Sequence, residues 1–240
     1  MTSKTKGIVL RTMKYSDKAS IVTIYTRDYG RMSYMAYGMY GKKSAAKAAN
    51  FLPLSLIEIT APHHPNREIQ TIKEVRTSDS LLNIHQNPIK SSIALFVAEL
   101  LYKTLKHPEP EIDLFDFVQD SILKLNNLNT GIANFHLVFS MQLCQFLGIQ
   151  PNGDMENPVY FDMLNGIFSP HHPQHEHVLT PAESILFLKL IQLDFDDMDS
   201  LKLSRENRNN LLDKILEYYK LHIAEFYGLN SKAVLHEIFS

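Results

Sequence analysis

The sequence predicts an α+β protein in which a small barrel of five strands, residues 1–79, precedes a mostly helical region, residues 80–240. The first region contains short runs rich in β-branched and aromatic side chains, which are typical of strands. In the second region, apolar side chains recur at helical spacing. The charge divides near the same boundary. Residues 1–80 hold thirteen Lys and Arg against six Asp and Glu, and the remaining residues hold eleven against twenty.

Five segments of the first region are predicted as strands. A turn at 27–30 makes the second and third strands a hairpin, and the breaker from Pro62 to Asn66 precedes the last strand. In that last strand the apolar residues do not alternate strictly, so we expect a β-bulge. Five short strands with one longer connection suit a small closed barrel. The segments are 7–13, 19–26, 31–37, 54–61 and 68–76.

The second region is predicted to be helical except for one hairpin. Thr180 and Glu183 have the spacing of a capping box, and Gly148 and Gly228 fit the C-terminal ends of helices. The hairpin is predicted at 157–169, around a turn that contains Gly166. The predicted helices are 89–106, 111–126, 131–147, 181 to about 193, and 204–227.

The composition excludes several classes of protein. Hydrophobic residues make up 45% of the chain and charged residues 21%, as in an ordinary globular protein. A single cysteine, Cys144, excludes an internal disulfide framework and a four-cysteine zinc site. The sequence contains no run of about 18 apolar residues, and its start does not have the pattern of a signal peptide. We therefore expect a soluble, cytoplasmic protein that does not enter a membrane.

The basic first region is a candidate for binding a polyanion, because clustered Lys and Arg release counterions from a phosphate backbone. The loop from Tyr37 to Phe51 combines two glycines, three lysines and no acid. Its tyrosines, together with Tyr34, could stack on unstacked bases or could fill the barrel. We expect Arg11, Lys14, Arg27 and Arg31 to lie on neighbouring strand ends. The predicted DNA-binding residues are Arg11, Lys14, Arg27, Arg31, Tyr37, Tyr40, Lys42, Lys43 and Lys47.

Patterns for catalysis or metal binding are weak. The segment His171–His177 holds four histidines that could chelate zinc or nickel, but a solvated polar loop also explains it. The acidic segment Asp194–Asp199 lacks the glycine and glutamate of an EF-hand loop. Cys144 is predicted to be a buried small side chain, and His136 lies roughly 12 Å away along the same helix. We therefore predict no enzyme activity, no cofactor and no metal.

Several stretches resemble one known family in the correct order along nearly the whole chain. The segment TKGIVLRTMKYSDKASIVTIYTRDYGRMSYMAYGMYGKKS resembles the amino-terminal region of the RecO family of bacterial recombination mediators, and the similarity continues through FLPLSLIEI. In the second half, FHLVFSMQLCQFLGIQP and YFDMLNGIFS are similar to the family's helix and following hairpin.

This resemblance implies an OB-fold barrel joined to a helical domain, and a mediator of DNA repair and recombination. It implies binding of single- and double-stranded DNA, annealing of complementary strands, RecA loading together with RecR, and docking of the C-terminal tail of SSB. It also implies a place at the bacterial nucleoid. Many relatives carry four zinc-binding cysteines in the region that corresponds to 152–179; this chain has none there, so zinc is not carried over. Two alternatives remain open: a protein-binding adaptor whose basic barrel contacts an acidic protein, and a metal-dependent hydrolase at His171–His177.

Overall fold

The computed structural model describes residues 2–39, 45–64, 66–156 and 158–239. The chain forms two compact units, one that extends to Asn127 and one that begins at Leu128. The first unit therefore combines the strands of the barrel with the helices that follow them. The predicted boundary between residues 79 and 80 stays a prediction.

A curled six-stranded sheet forms the centre of the first unit. Its strand order is β5-β3-β2-β1-β4-β6, and all neighbours are antiparallel except β3 and β5. This curled sheet, followed by helices, confirms the predicted α+β class with an OB-fold barrel. The strands are β1 (Thr2–Lys14), β2 (Ala19–Thr26), β3 (Gly30–Tyr37), β4 (Leu56–Pro62), β5 (Ile69–Thr71) and β6 (Glu74–Thr77).

One short segment joins both edges of the sheet. The backbone N–H of Ile72 donates to the carbonyl of Met35 in β3 at 3.1 Å, and that of Lys73 donates to the carbonyl of Thr60 in β4 at 2.9 Å. In extended backbone, successive N–H groups point to opposite sides, so consecutive residues can bind opposite edges. The prediction of one bulged strand over 68–76 was therefore wrong, because the segment is two strands on two edges.

Alternating side chains fill the inside of the barrel. Ile57, Ile59 and Ala61, which share one face of β4, are buried there. Tyr34 of β3 is also fully buried, so this tyrosine fills the barrel and does not face solvent. The buried core also contains Val9, Val22, Ile24, Ala36, Met39 and Phe51.

Helices complete the first unit. The side chain of Asn87 caps the longest of them by accepting hydrogen bonds from two backbone N–H groups of its first turn. The outer face of the sheet is covered in part, since Tyr25 packs on Phe115 with ring centroids 5.9 Å apart. The two five-residue helices were not predicted, because one turn is too short to show a period. The helices are α1 (Ala45–Ala49), α2 (Leu82–Gln86), α3 (Pro88–Thr104) and α4 (Ile112–Asn127).

The second unit packs four helices with a small four-stranded sheet of order β10-β8-β9-β7. The predicted hairpin is present as β8 and β9, and the predicted capping box is present at Thr180 and Glu183. No described helix has the length and apolar content that crossing a membrane requires. The elements are α5 (Phe135–Phe146), β7 (Asn152–Gly153), β8 (Tyr160–Asp162), β9 (Ile167–Ser169), β10 (Val178–Leu179), α6 (Pro181–Gln192), α7 (Arg205–His222) and α8 (Ser231–Ile238).

Helix α7 ends at His222, five residues before its predicted end. Phe226, which suggested a longer helix, packs on Tyr219 with ring centroids 5.5 Å apart. It does so from a turn in which Glu225 has a left-handed φ of 59°. The apolar side chain thus reaches the core without a helical backbone, so the apolar pattern could not locate the end of the helix.

Candidate nucleic-acid interface

The predicted DNA-binding residues do not share one end of the barrel. In the strand register, Lys14 of β1 lies opposite Ser20 of β2, and Tyr37 of β3 lies opposite Ala19 of β2. Lys14 and Tyr37 are therefore at the same end of the sheet. Arg27 and Arg31 flank the turn at the opposite end of β2 and β3, a strand length of about 23 Å away. The expectation that Arg11, Lys14, Arg27 and Arg31 lie on neighbouring strand ends was therefore wrong, because successive turns of a meander lie at opposite ends of the sheet.

The end of the barrel near Tyr37 presents what we call the barrel-tip surface, formed by Lys14, Tyr15, Lys18, Tyr37 and Lys47. Its two backbone segments are joined, since the N–H of Gly38 donates to the carbonyl of Lys18 at 3.0 Å. Helix α1 brings the Nζ atom of Lys47 to 3.9 Å from the point where a Cβ on Gly38 would lie. Residues that are far apart in the sequence therefore meet on one small surface.

Two tyrosine rings of the barrel-tip surface face solvent. Tyr15 is 65% exposed and Tyr37 is 52% exposed. Tyr34 lies three residues before Tyr37 on β3 and so faces the other side of the sheet. Sequence reasoning missed Tyr15. Its position in the turn between β1 and β2, where no strand neighbour can cover it, was the available signal.

The lysines of this surface have little acidic compensation. Neither Lys18 nor Lys47 forms an ion pair with a described carboxylate. Lys14 pairs with Asp17 at 2.9 Å, and the Asp17 side chain is 94% exposed. The hydrogen bond from Lys14 lowers the pKa of Asp17 below its usual value. Pairs this exposed are weak, so Lys14 can exchange Asp17 for another anion.

Arg27 is held by an acid of α4 in the same unit. Its Nε and Nη2 atoms donate to the two carboxylate oxygens of Asp116 at 3.1 and 2.9 Å. This two-point hydrogen bond raises the pKa of Arg27 and lowers the pKa of Asp116. The ion pair ties the turn between β2 and β3 to the helix.

Arg31 and Arg11 both contact Tyr102 of α3. The Arg31 Nη1 atom donates to the carbonyls of Tyr102 and Leu105 at 3.0 and 2.7 Å, and its guanidinium lies 4.4 Å from the Tyr102 ring centroid. Burial lowers the pKa of Arg31. Arg11 donates to the Tyr102 hydroxyl at 3.1 Å and remains exposed. The structure thus gives Arg31 a role in joining β3 to α3.

Three predicted contacts, Tyr40, Lys42 and Lys43, lie outside the described residues. They connect β3 to α1 in the sequence, so they follow directly on Tyr37 and precede Lys47. Their part in binding stays a prediction.

The other candidate residues lie in the second unit. Cys144 is fully buried, and burial raises the pKa of its thiol to about 12, so it is not an activated nucleophile. In the histidine segment, His175 contacts Asp162 at 3.1 Å and His177 contacts Glu217 at 3.4 Å. The described part of the chain contains no group of three or more His, Cys, Asp or Glu that could hold a metal ion.

Comparison with known proteins relates both regions to a single family. Residues 1–81 match the family model described as "Recombination protein O N terminal", and residues 85–233 match "Recombination protein O C terminal". The chain is 40% identical over its full length to the full-length DNA repair protein RecO of Azobacteroides pseudotrichonymphae, and 40% identical to that of Bacteroides fragilis. It is 36% identical, again with both chains fully covered, to the protein of the same name from Flavobacterium psychrophilum. The chain therefore belongs to the RecO family of bacterial DNA repair proteins.

Proposed function

We propose that this protein is a DNA repair and recombination mediator that binds single- and double-stranded DNA through the barrel-tip surface. The observation that carries the proposal is the pair of exposed rings, Tyr15 and Tyr37, beside Lys18 and Lys47. Lysines attract phosphates, and exposed rings offer faces on which unstacked bases can stack. Tyr40, Lys42 and Lys43 belong to this proposal on sequence grounds.

Annealing of complementary strands follows from the same surface. Two polyanions that approach each other repel, and a shared cationic surface lowers that repulsion. We extend the proposal to the family's implied roles, which are RecA loading together with RecR on SSB-coated DNA, with contact to the C-terminal tail of SSB at the nucleoid. The protein would bind and position strands without changing a covalent bond.

The lysine test measures DNA affinity as a function of salt. Changing Lys18→Ala and Lys47→Ala together should weaken binding to all sequences and flatten the slope of log K against log[salt] by about 1.4–1.8, since each lost phosphate contact contributes about 0.7–0.9. Asp17→Asn should act in the opposite direction, because it removes a negative charge from the barrel-tip surface. Lys6→Ala serves as the control, since Lys6 is exposed and its carbonyl accepts from the N–H of Arg27 at the opposite end of the barrel. Equal slopes for the double variant and the control would contradict the proposal.

The tyrosine test separates DNA binding from binding of an acidic protein partner, which is the adaptor alternative. Tyr15→Ala and Tyr37→Ala should each weaken single-strand binding by about 1–3 kcal/mol for every base that stacks. Duplex binding should change much less, because paired bases are already stacked on each other. A surface for an acidic protein would require the lysines but would show no such difference between single strands and duplexes.

A further inference from the structure

A second basic site lies in the first unit, at the end of β3 opposite to the barrel-tip surface. A cleft of about 770 Å³ opens there between the start of β3, the loop after β4 and the end of α3. Among its lining residues are Arg31, Arg67 and Lys106, with Glu68 as the acid. Because the strand between the two sites is about 23 Å long, a ligand in this cleft would be separate from one held at Tyr37.

The cations of the cleft are placed for an external anion. The Arg31 Nη1 atom donates to two carbonyls and the guanidinium lies against the Tyr102 side chain, so these contacts fix the position of its charge at the cleft. Neither Arg31 nor Arg67 forms an ion pair with a described carboxylate. Arg31 is partly removed from water, and a guanidinium keeps its charge under such conditions. An anion that enters the cleft would therefore meet the charges of Arg31 and Arg67, which no described carboxylate pairs with.

The loop that carries Arg67 is held in place by a buried amide. Gln70 is only 1% exposed. Its Nε2 atom donates to the carbonyls of His64 and Arg67, both at 2.9 Å, and its Oε1 atom accepts from the His64 N–H at 3.2 Å. Backbone fixed in this way at His64 and Arg67 loses little freedom when a ligand binds.

One wall of the cleft is aromatic and rigid. The rings of Tyr29 and His63 stack with centroids 3.6 Å apart and planes 8° from parallel. Both ring nitrogens of His63 are hydrogen-bonded, Nδ1 to the Ser3 hydroxyl at 2.8 Å and Nε2 to the Tyr34 hydroxyl at 2.9 Å. Burial lowers the pKa of His63, which favours the neutral ring at pH 7. A planar, neutral wall beside cations suits a base attached to a phosphate.

We propose that this cleft binds a nucleoside monophosphate, either as a free nucleotide or as the phosphorylated end of a strand. Arg31, Arg67 and Lys106 would hold the phosphate, and the rings of Tyr29 and His63 would support the base. Glu68 would accept hydrogen bonds from a sugar hydroxyl or a base amino group, which a bare anion does not have. The proposal does not depend on DNA binding at the barrel-tip surface.

The test uses the full-length chain and thymidine 5′-monophosphate, measured by calorimetry. We expect saturable binding that Arg67→Ala weakens tenfold or more, because a charge-assisted hydrogen bond to phosphate is lost. Arg76→Ala is the matched control, since Arg76 is an exposed arginine of β6 outside the cleft. Thymidine alone, or inorganic phosphate alone, should bind more weakly than the nucleotide.

A second arm identifies the source of the nucleotide. An oligonucleotide with a 5′-phosphate is compared with the same oligonucleotide ending in a 5′-hydroxyl. If the chain prefers the phosphorylated oligonucleotide, and Arg67→Ala abolishes that preference, the cleft holds strand ends. In the wild-type chain, NMR should show shifts of the Tyr29 and His63 ring protons on addition of the nucleotide. No saturable binding in either arm, equal effects of the two arginine variants, or inorganic phosphate binding as tightly as the nucleotide would overturn the proposal.

Discussion

The side of a strand that a tyrosine faces decides what it does in this protein. Tyr34 is fully buried, and burial raises its pKa, whereas Tyr37 on the same strand is half exposed. The alternation of β3 predicts that the two face opposite sides, but it does not say which side is inside. The sequence could therefore identify the candidate rings without dividing them between core and surface.

The arginines illustrate a similar limit. Their charge predicted a basic face, but the partner of Arg27 is Asp116, 89 residues further along the chain. Arg31 is held by two backbone carbonyls, which have no sequence signature. The lysines of the barrel-tip surface lie at the end of β1, in the turn that follows it and in a short helix. Their exposure follows from that position, and the sequence predicted Lys14 and Lys47 but did not select Lys18.

His136 should make the stability of the protein depend on pH. Burial, with smaller contributions from Arg208 and His236, lowers its pKa to about 3 from an ordinary 6.5. The unfolded chain then binds a proton that the folded chain does not, so stability is full above pH 6.5 and falls as the pH drops below it. Between pH 7.5 and 5.5 this residue should remove about 1.4 kcal/mol from the free energy of unfolding.

The measurement compares urea unfolding of the wild type and His136→Gln at both pH values. The substitution can lower stability at each pH, but it should remove about 1.4 kcal/mol of the difference between them. His107→Gln provides a control with an exposed histidine. If the pH dependence of the His136 variant equals that of the wild type, the histidine is not buried in its neutral form.

At the scale of elements, the sequence predicted long segments well and short or closing segments poorly. β2 and the hairpin of β2 and β3 follow from dense β-branched and aromatic runs, and α6 follows from its capping box. The closing segment Ile69–Thr77 could not be assigned, because its hydrogen bonds go to two edges that meet only in the folded barrel. Local patterns thus predicted the pieces of the barrel but not its closure.

The turn before β3 should tolerate a side chain much less well than the turn after it. Gly30 has a φ of +60°, and a Cβ there would lie 2.7 Å from the backbone nitrogen of Glu109. Gly38 has a φ of +72°, and among the described residues a Cβ there would meet only the flexible Lys47 Nζ, at 3.9 Å. Gly38→Ala should therefore lower the free energy of unfolding only by the backbone strain that the new Cβ introduces, about 1–2 kcal/mol. Gly30→Ala should lower the free energy of unfolding by about 1–3 kcal/mol more than Gly38→Ala does, since the loop before α4 must move.

Urea unfolding of the two alanine variants checks this difference, with both positions in the same unit and at the two ends of one strand. If the two variants lose similar amounts of free energy of unfolding, the loop at Glu109 can move aside without a loss of stability, and its contact with the turn at Gly30 does not stabilise the protein.

For the whole molecule, the charge asymmetry of the sequence is also present between the two units, although their boundary lies at residue 127 and not at residue 80. Residues 1–127 hold seventeen Lys and Arg against twelve Asp and Glu, a balance of +5, and residues 128–240 hold seven against fourteen, a balance of −7. The added helices α3 and α4 bring acids, one of which pairs with Arg27. The basic character therefore belongs to a part of the unit, at the barrel tip and in the cleft, more than to the unit as a whole.

The contacts of the barrel predict where the chain can be divided. Tyr25 is buried against Phe115 and its hydroxyl donates to the carbonyl of Glu111 at 3.3 Å, while Arg31 binds the backbone of α3. A fragment of residues 1–127 should therefore unfold cooperatively and keep the salt slope of the full chain in DNA binding. A fragment of residues 1–79 would expose Tyr25 and would lack the two carbonyls of α3 and its end to which Arg31 donates. It should therefore be less stable by several kcal/mol, since exposing each large apolar side chain costs about 1.5–3 kcal/mol. Urea unfolding of both fragments measures this, and equal stability would place the boundary at residue 79, where the strand pattern of the sequence ends.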